Sequence, residues 1–130
     1  VSKVAPQLAE NAGIPNCIWG DVMDIPFEDK KFDACVTSEV LEHLCVTDID
    51  ASIKEMIRVT KKYLFIKVAV ALERQKKWLE TIREIESAYK TLKNLHLTVQ
   101  PLGKWIKDFE KHGAKHVQTT DKDMLIFALE

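Results

Sequence analysis

The period of the apolar residues changes several times along this chain, and each change marks an element. Val4, Leu8 and Ala12 recur at helical spacing before Gly13 and Pro15, which predicts a helix from Ser2 to about Asn11. Cys17-Ile18-Trp19 is a short apolar run read as a strand. Gly20 to Lys31 is polar and rich in turn residues; Pro26 fixes one backbone dihedral there, and Phe27 can anchor the loop to a core. Phe32 to Thr37 follows as a second strand, in which the run Ala34-Cys35-Val36 has the pattern of a strand covered on both faces.

Helix and strand then alternate. Ser38 is a candidate N-cap for a helix whose first turn holds Glu39, Glu42 and His43. Asp48 or Asp50 can cap a further helix with Ile53, Met56 and Ile57 on one face, Lys61 and Lys62 favour its end electrostatically, and Tyr63 to Val70 reads as a buried strand. From Ala71 to Lys93, Leu72, Trp78, Leu79, Ile82, Ile85, Tyr89 and Leu92 step by three and four, the pattern of a long amphipathic helix. Leu102 to His112 predicts another helix, with Trp105, Ile106 and Phe109 inward and Gly113 as its stop. His116 to Thr120 and Met124 to Leu129 read as an antiparallel hairpin around Thr120-Asp121-Lys122-Asp123. Strand, helix, strand in this order specifies an α/β fold.

Composition narrows the setting. A chain of 130 residues with 46% hydrophobic content suits a single domain spanning residues 1–130. Nineteen basic against twenty acidic side chains leave a net charge of -1, so no global field favours nucleic acid. Lys76, Lys77, Arg74 and Arg83 are interleaved with Glu73, Glu80, Glu84 and Glu86, which is ordinary charge pairing on a helix and gives no clear nucleic-acid surface. Cys17, Cys35 and Cys45 lack the even count and close spacing of a disulfide or zinc framework and are expected as buried, reduced thiols. No apolar run approaches the ~20 residues that span a bilayer, so a cytoplasmic protein without a membrane partner is expected.

The segment Gly20-Asp21-Val22-Met23-Asp24-Ile25-Pro26-Phe27, with Lys31-Phe32-Asp33 and Ser38-Glu39-Val40-Leu41-Glu42-His43-Leu44, closely resembles the middle of a class I S-adenosylmethionine-dependent methyltransferase, type 11-like. Ile53-Lys54-Glu55-Met56-Ile57-Arg58-Val59 resembles the helix before that family's fifth strand, although Lys61-Lys62 replaces the usual glycine turn. The resemblance implies a Rossmann-like sheet, mostly parallel with a C-terminal antiparallel hairpin, and S-adenosylmethionine as cofactor. By the same resemblance Asp21 accepts a hydrogen bond from the adenine amino group, Val22 and Met23 line the ring, and Ser38 and Glu39 border the methionine part. An acceptor beside an apolar slot is suited to a flat heterocycle bearing an amine. His43 is the candidate base, since a histidine shuttles protons near neutral pH.

The spacing of Glu39, Glu42 and His43 also matches the metal motif of small-RNA 2'-O-methyltransferases, with His96 as the obvious fourth ligand. Against it stands helix-start chemistry and packing. Trp78 and Trp105 suit an aromatic wall over an acceptor, yet both lie on apolar helical stripes and read more simply as core.

The family's glycine-rich turn, which admits the methionine carboxylate, and the acidic residue that holds the ribose have no counterpart, because the four glycines form no Gly-x-Gly. The fold is therefore expected as N-terminally truncated. Three accounts fit: a piece of a longer enzyme, a reduced homologue that completes its sheet as a homo- or hetero-oligomer, and a catalytically inactive binding or regulatory module that pairs through an exposed sheet edge. The methyl acceptor is not specified by the sequence.

Overall fold

The structure of the protein, a computed structural model, describes residues 4–70, 96–120 and 124–130. The long helix expected over 71–93, with Trp78, and the middle of the final turn lie outside the described residues. Elements follow in the order α1 (Val4–Asn11), β1 (Phe32–Ser38), a 3-10 turn (Leu41–His43), α2 (Ile49–Val59), β2 (Thr60–Lys67), α3 (Leu102–Glu110), β3 (Lys115–Thr119) and β4 (Met124–Ala128). The four strands form one sheet in the order β1-β2-β4-β3. β1 and β2 pair in parallel from Phe32↔Thr60 to Ser38↔Lys67, and β4 runs antiparallel to both neighbours. Three strands thus share one direction and the hairpin supplies the reversal, as expected for the family resembled.

The period of two sorts the sheet's side chains. Leu64, Ile66, Leu125 and Phe127 point to one face and are fully buried. α2 meets them with Ile53 and Met56, α3 with Trp105 and Phe109, and Phe109 stacks on Phe127 at a centroid distance of 4.6 Å and 23° between planes. Burying each such side chain stabilises the fold by about 1.5–3 kcal/mol. The buried positions of α2, Ile49, Ser52, Ile53, Met56 and Val59, step by three and four, so its stripe needs no other explanation. α3 ends where Gly113 turns left-handed at φ 88°, with the Gly113 N–H on Glu110 C=O and the Ala114 N–H on Phe109 C=O.

Several expectations need correction. Cys17-Ile18-Trp19 is not a strand; the segment lies outside the four-stranded sheet, and Ile18 and Trp19 are about half exposed. α1 forms where predicted but buries no residue. β1 is not covered on both faces: Val36 is 67% exposed. Cys17 and Cys45 are exposed and Cys35 half-buried, all as free thiols, because the segments carrying the first two pack against little. Burial pushes the Cys35 thiol up, against a hydrogen bond to Thr60.

Boundaries shift around α2 as well. Asp48 occupies the N-cap position without a side-chain cap bond; its carbonyl instead accepts the N–H and hydroxyl of Ser52. Lys61 and Lys62 lie in β2, and Arg58 supplies the cation of the last helical turn. Asp50, in the first turn, binds Lys54, Lys111 and His112 and so ties the start of α2 to the end of α3. The Lys111 ammonium, then Lys54 and His112, hold its carboxyl far below the usual range.

Candidate active site

The carboxyl ends of β1 and β2 and the loop Gly20–Lys31 contain the residues singled out from the sequence. Asp21 opens a tight turn: its carboxylate accepts the Met23 N–H at 2.9 Å and its carbonyl accepts the Asp24 N–H at 3.1 Å. This side-chain bond fixes the direction of the carboxylate relative to the backbone of Val22 and Met23. Val22 and Ile25 are half-buried against the core, whereas Met23 stays 39% exposed and free to line a ligand. Gly20 packs closely on its neighbour: an added Cβ would sit 3.1 Å from Pro26 Cδ, so the proline would have to give by a few tenths of an ångström. The loop then closes on an edge-to-face contact of Phe27 with Phe32 at 4.8 Å.

The second cluster begins where β1 ends. Ser38 is the last residue of the strand and not a helix cap, and Glu39 adopts a left-handed backbone at φ 55°. A non-glycine residue in that region is held by its surroundings, and such strain gathers at functional sites. Here the Glu39 N–H continues the parallel ladder onto the Lys67 carbonyl at 3.0 Å, and its carboxylate meets Lys67 Nζ at 3.2 Å. The break at Glu39 stops any helix from running through Ser38, so Leu41–His43 is only a 3-10 turn.

Glu42 is fully buried at this turn. Its Oε1 accepts the Ala69 N–H at 2.9 Å, and its main-chain carbonyl accepts the Thr98 N–H at 3.0 Å. Thr98 Oγ1 donates to the Leu44 carbonyl at 2.7 Å, and Trp105 Nε1 donates to the Ala69 carbonyl at 3.3 Å. The turn after β1, the end of β2 and the approach to α3 are thereby sewn together. Glu42 Oε2 has no hydrogen-bond partner of good geometry, a state tolerable for a neutral acid and costly for an ion. Burial, then the carboxyl of Glu39, push Glu42 up; Glu39 is drawn down by Glu42 first and then by Lys67, against partial desolvation. Of the two carboxyls, Glu42 is therefore the one that ionises less readily.

His43 is exposed and meets His96 edge to face at 4.8 Å. Partial burial, then His43, keep His96 below its ordinary value despite Glu39. Among the described residues no group of three or more His, Cys, Asp or Glu side chains is arranged to hold a metal ion. The expected shared helical face of Glu39, Glu42 and His43 does not form, because Glu39 is left-handed and the Glu42 carboxyl turns inward. Trp105 is fully buried core and not an acceptor wall. The two clusters rest on one foundation, since Leu41, Leu44, Val22 and Ile25 all belong to or pack against the same core.

Sequence reasoning missed Lys67 as the partner of Glu39, and missed that the Glu42 main chain and side chain join two other segments. Their signals are long-range pairings with no local pattern.

The fold and site define an α/β chain with an acidic turn and, at the carboxyl edge of its parallel strands, a glutamate on a left-handed backbone. Residues 1–66 match the family model described as a methyltransferase domain, and the chain belongs to that family. The fold is similar to that of an S-adenosylmethionine-dependent methyltransferase from Methanosarcina mazei, with a TM-score of 0.70 at 16% identity over 99% of this chain and 80% of the other. It also matches an S-adenosylmethionine-dependent methyltransferase of Thermotoga maritima, with a TM-score of 0.68 at 16% identity over 99% and 70% of the two chains. A candidate methyltransferase of Bacillus halodurans gives a TM-score of 0.63 at 23% identity, covering 89% of this chain. The match spans about half, 49%, of that protein's length.

Proposed function

We propose that this chain forms the adenine side and the acceptor side of an S-adenosylmethionine cleft and contributes to methyl transfer onto a nucleophilic acceptor. The observation that carries this reading is the Asp21 turn: a carboxylate oriented by the Met23 N–H, beside half-buried Val22 and accessible Met23. Asp21 would accept the amine of adenine, and Val22 and Met23 would line the ring. Ser38 and Glu39 would border the sulfonium, whose positive charge suits the ionised Glu39 carboxylate. His43, with His96 against it, would receive the proton that the acceptor loses. The cofactor supplies an activated methyl group, so the protein's part is positioning, and no further obligatory triad is implied.

The residues fit the nucleoside half of the cofactor. The described residues include no Gly-x-Gly turn for the methionine carboxylate, so no step is assigned there. β1 stands at the edge of the described sheet, which favours a second reading, in which the chain is a catalytically silent module that pairs through that edge. Titration calorimetry with S-adenosylmethionine and S-adenosylhomocysteine separates the two. Saturable binding abolished by Asp21→Ala supports the cofactor reading. Silence at millimolar ligand sinks it for the chain acting alone.

A further inference from the structure

We propose that Arg58, acting with Glu55, is a positioning residue for the nucleoside-binding turn, a role that rests on the cofactor reading above. Both residues project from the last turns of α2, far in sequence from the turn they control. The guanidinium has five N–H donors, and each is used. Nε and one NH2 hydrogen grip Glu55 Oε1 and Oε2 at 2.7 and 2.8 Å, NH2 also reaches the Ile25 carbonyl at 2.9 Å, and NH1 takes the Phe27 carbonyl at 2.7 Å and Asp29 Oδ1 at 2.8 Å.

Glu55 Oε2 in turn accepts the Ile25 N–H at 2.9 Å. Both backbone groups of Ile25 are thus bound by one ion-paired couple, much as a neighbouring strand would bind them. The Lys30 N–H closes the far end of the loop on the Arg58 carbonyl at 2.7 Å. Ile25 follows Asp24 directly, so the fork fixes the exit of the turn whose entry is the Asp21 side chain. A loop without regular structure has few ways to hold a carboxylate steady for a flat ligand, and bidentate charge-assisted bonds are the strong way.

The coupling is specific to geometry. Lysine would keep the charge of Arg58 but presents three donors from one point and cannot reach two carbonyls and two carboxylates in a plane. Glutamine in place of Glu55 would keep an acceptor for Ile25 but lose the ionic grip.

The test pairs variants with ligands. Arg58→Lys and Glu55→Gln should weaken S-adenosylhomocysteine binding on the order of tenfold or more, and amide exchange should quicken at residues 21–30 while β2 and β4 keep their protection. S-inosylhomocysteine, whose purine lacks the exocyclic amine, discriminates a positioning role from general loosening. It should bind the wild type weakly, and the variants should weaken it little further, because both changes act through Asp21. Unchanged affinity, unchanged exchange, or losses that simply multiply across the two ligands overturn the proposal. If the wild type itself binds no S-adenosylhomocysteine, the cofactor reading fails first and takes this role with it; variant effects on a binding wild type judge the role alone.

Discussion

The two faces of the sheet are built from similar residues and have opposite fates. On one, Leu64, Ile66, Leu125 and Phe127 are fully buried under α2 and α3; on the other, Val36 is 67% and Tyr63 47% exposed. Alternation along β1, β2 and β4 places apolar side chains on both, the pattern of a sheet covered on both sides. The difference shows that hydrophobic character specifies a demand for cover and does not say who meets it. α2 and α3 answer for one face. Among the described residues no helix answers for the other, and α1, the one remaining helix there, buries none of its own residues.

The comparison makes its largest prediction at the covered face. Phe109→Ala removes a ring stacked on Phe127 and leaves a cavity under α3, which should destabilise the fold by about 3–5 kcal/mol. Urea unfolding followed by circular dichroism measures it. A loss under ~1 kcal/mol would mean that the covered face is not the source of stability.

A smaller effect is expected at Glu42, an ionisable residue fully buried at the turn after β1. Its folded value lies above its unfolded one, so its contribution is whole below the unfolded value and is lost as pH rises through the folded value. Glu39 opposes this: its folded value is lowered, and its contribution is lost as pH falls through that value. Glu42→Gln still accepts the Ala69 N–H and cannot ionise. The variant should match the wild type in mild acid and become more stable relative to it toward neutral pH, by about 1–2 kcal/mol. Parallel stability curves from pH 4 to 8 would show that Glu42 carries no such penalty.

How far the sequence could foresee this follows from where each interaction is encoded. α2, α3 and the closing hairpin are legible because their signals are local: apolar steps of three and four, Gly113 as a stop, and two short segments either side of a polar turn. The Asp21 turn is legible for the same reason, its key bond spanning two residues. The Ser38 helix and the Cys17-Ile18-Trp19 strand do not form, for an opposite reason. Local pattern allows both, but the Glu39 N–H is claimed by Lys67 across the sheet, and Cys17-Ile18-Trp19 lies outside that sheet. The grip of Arg58 on Ile25 and Phe27 and the seam from Glu42 to Ala69 and Thr98 join residues tens of positions apart. No spacing rule predicts such pairs, and they are what give the candidate site its shape.

The smallest expected effect is at the open face, and it is the most informative about what that face is for. Val36→Ala removes two methyl groups from a side chain already mostly in water, so the isolated chain should lose less than ~0.5 kcal/mol. Tyr63→Ala, although larger in volume, should likewise cost far less than Phe109→Ala, because half of its side chain is exposed before the change. Both values should be independent of protein concentration if the face stays bare. A second molecule bound there would change the outcome in two ways at once: unfolding would shift with concentration by mass action, and Val36→Ala would cost what a buried valine costs. Unfolding at two concentrations a hundredfold apart, for wild type and Val36→Ala together, therefore decides whether the contrast between the two faces belongs to the folded protein or only to one copy of it.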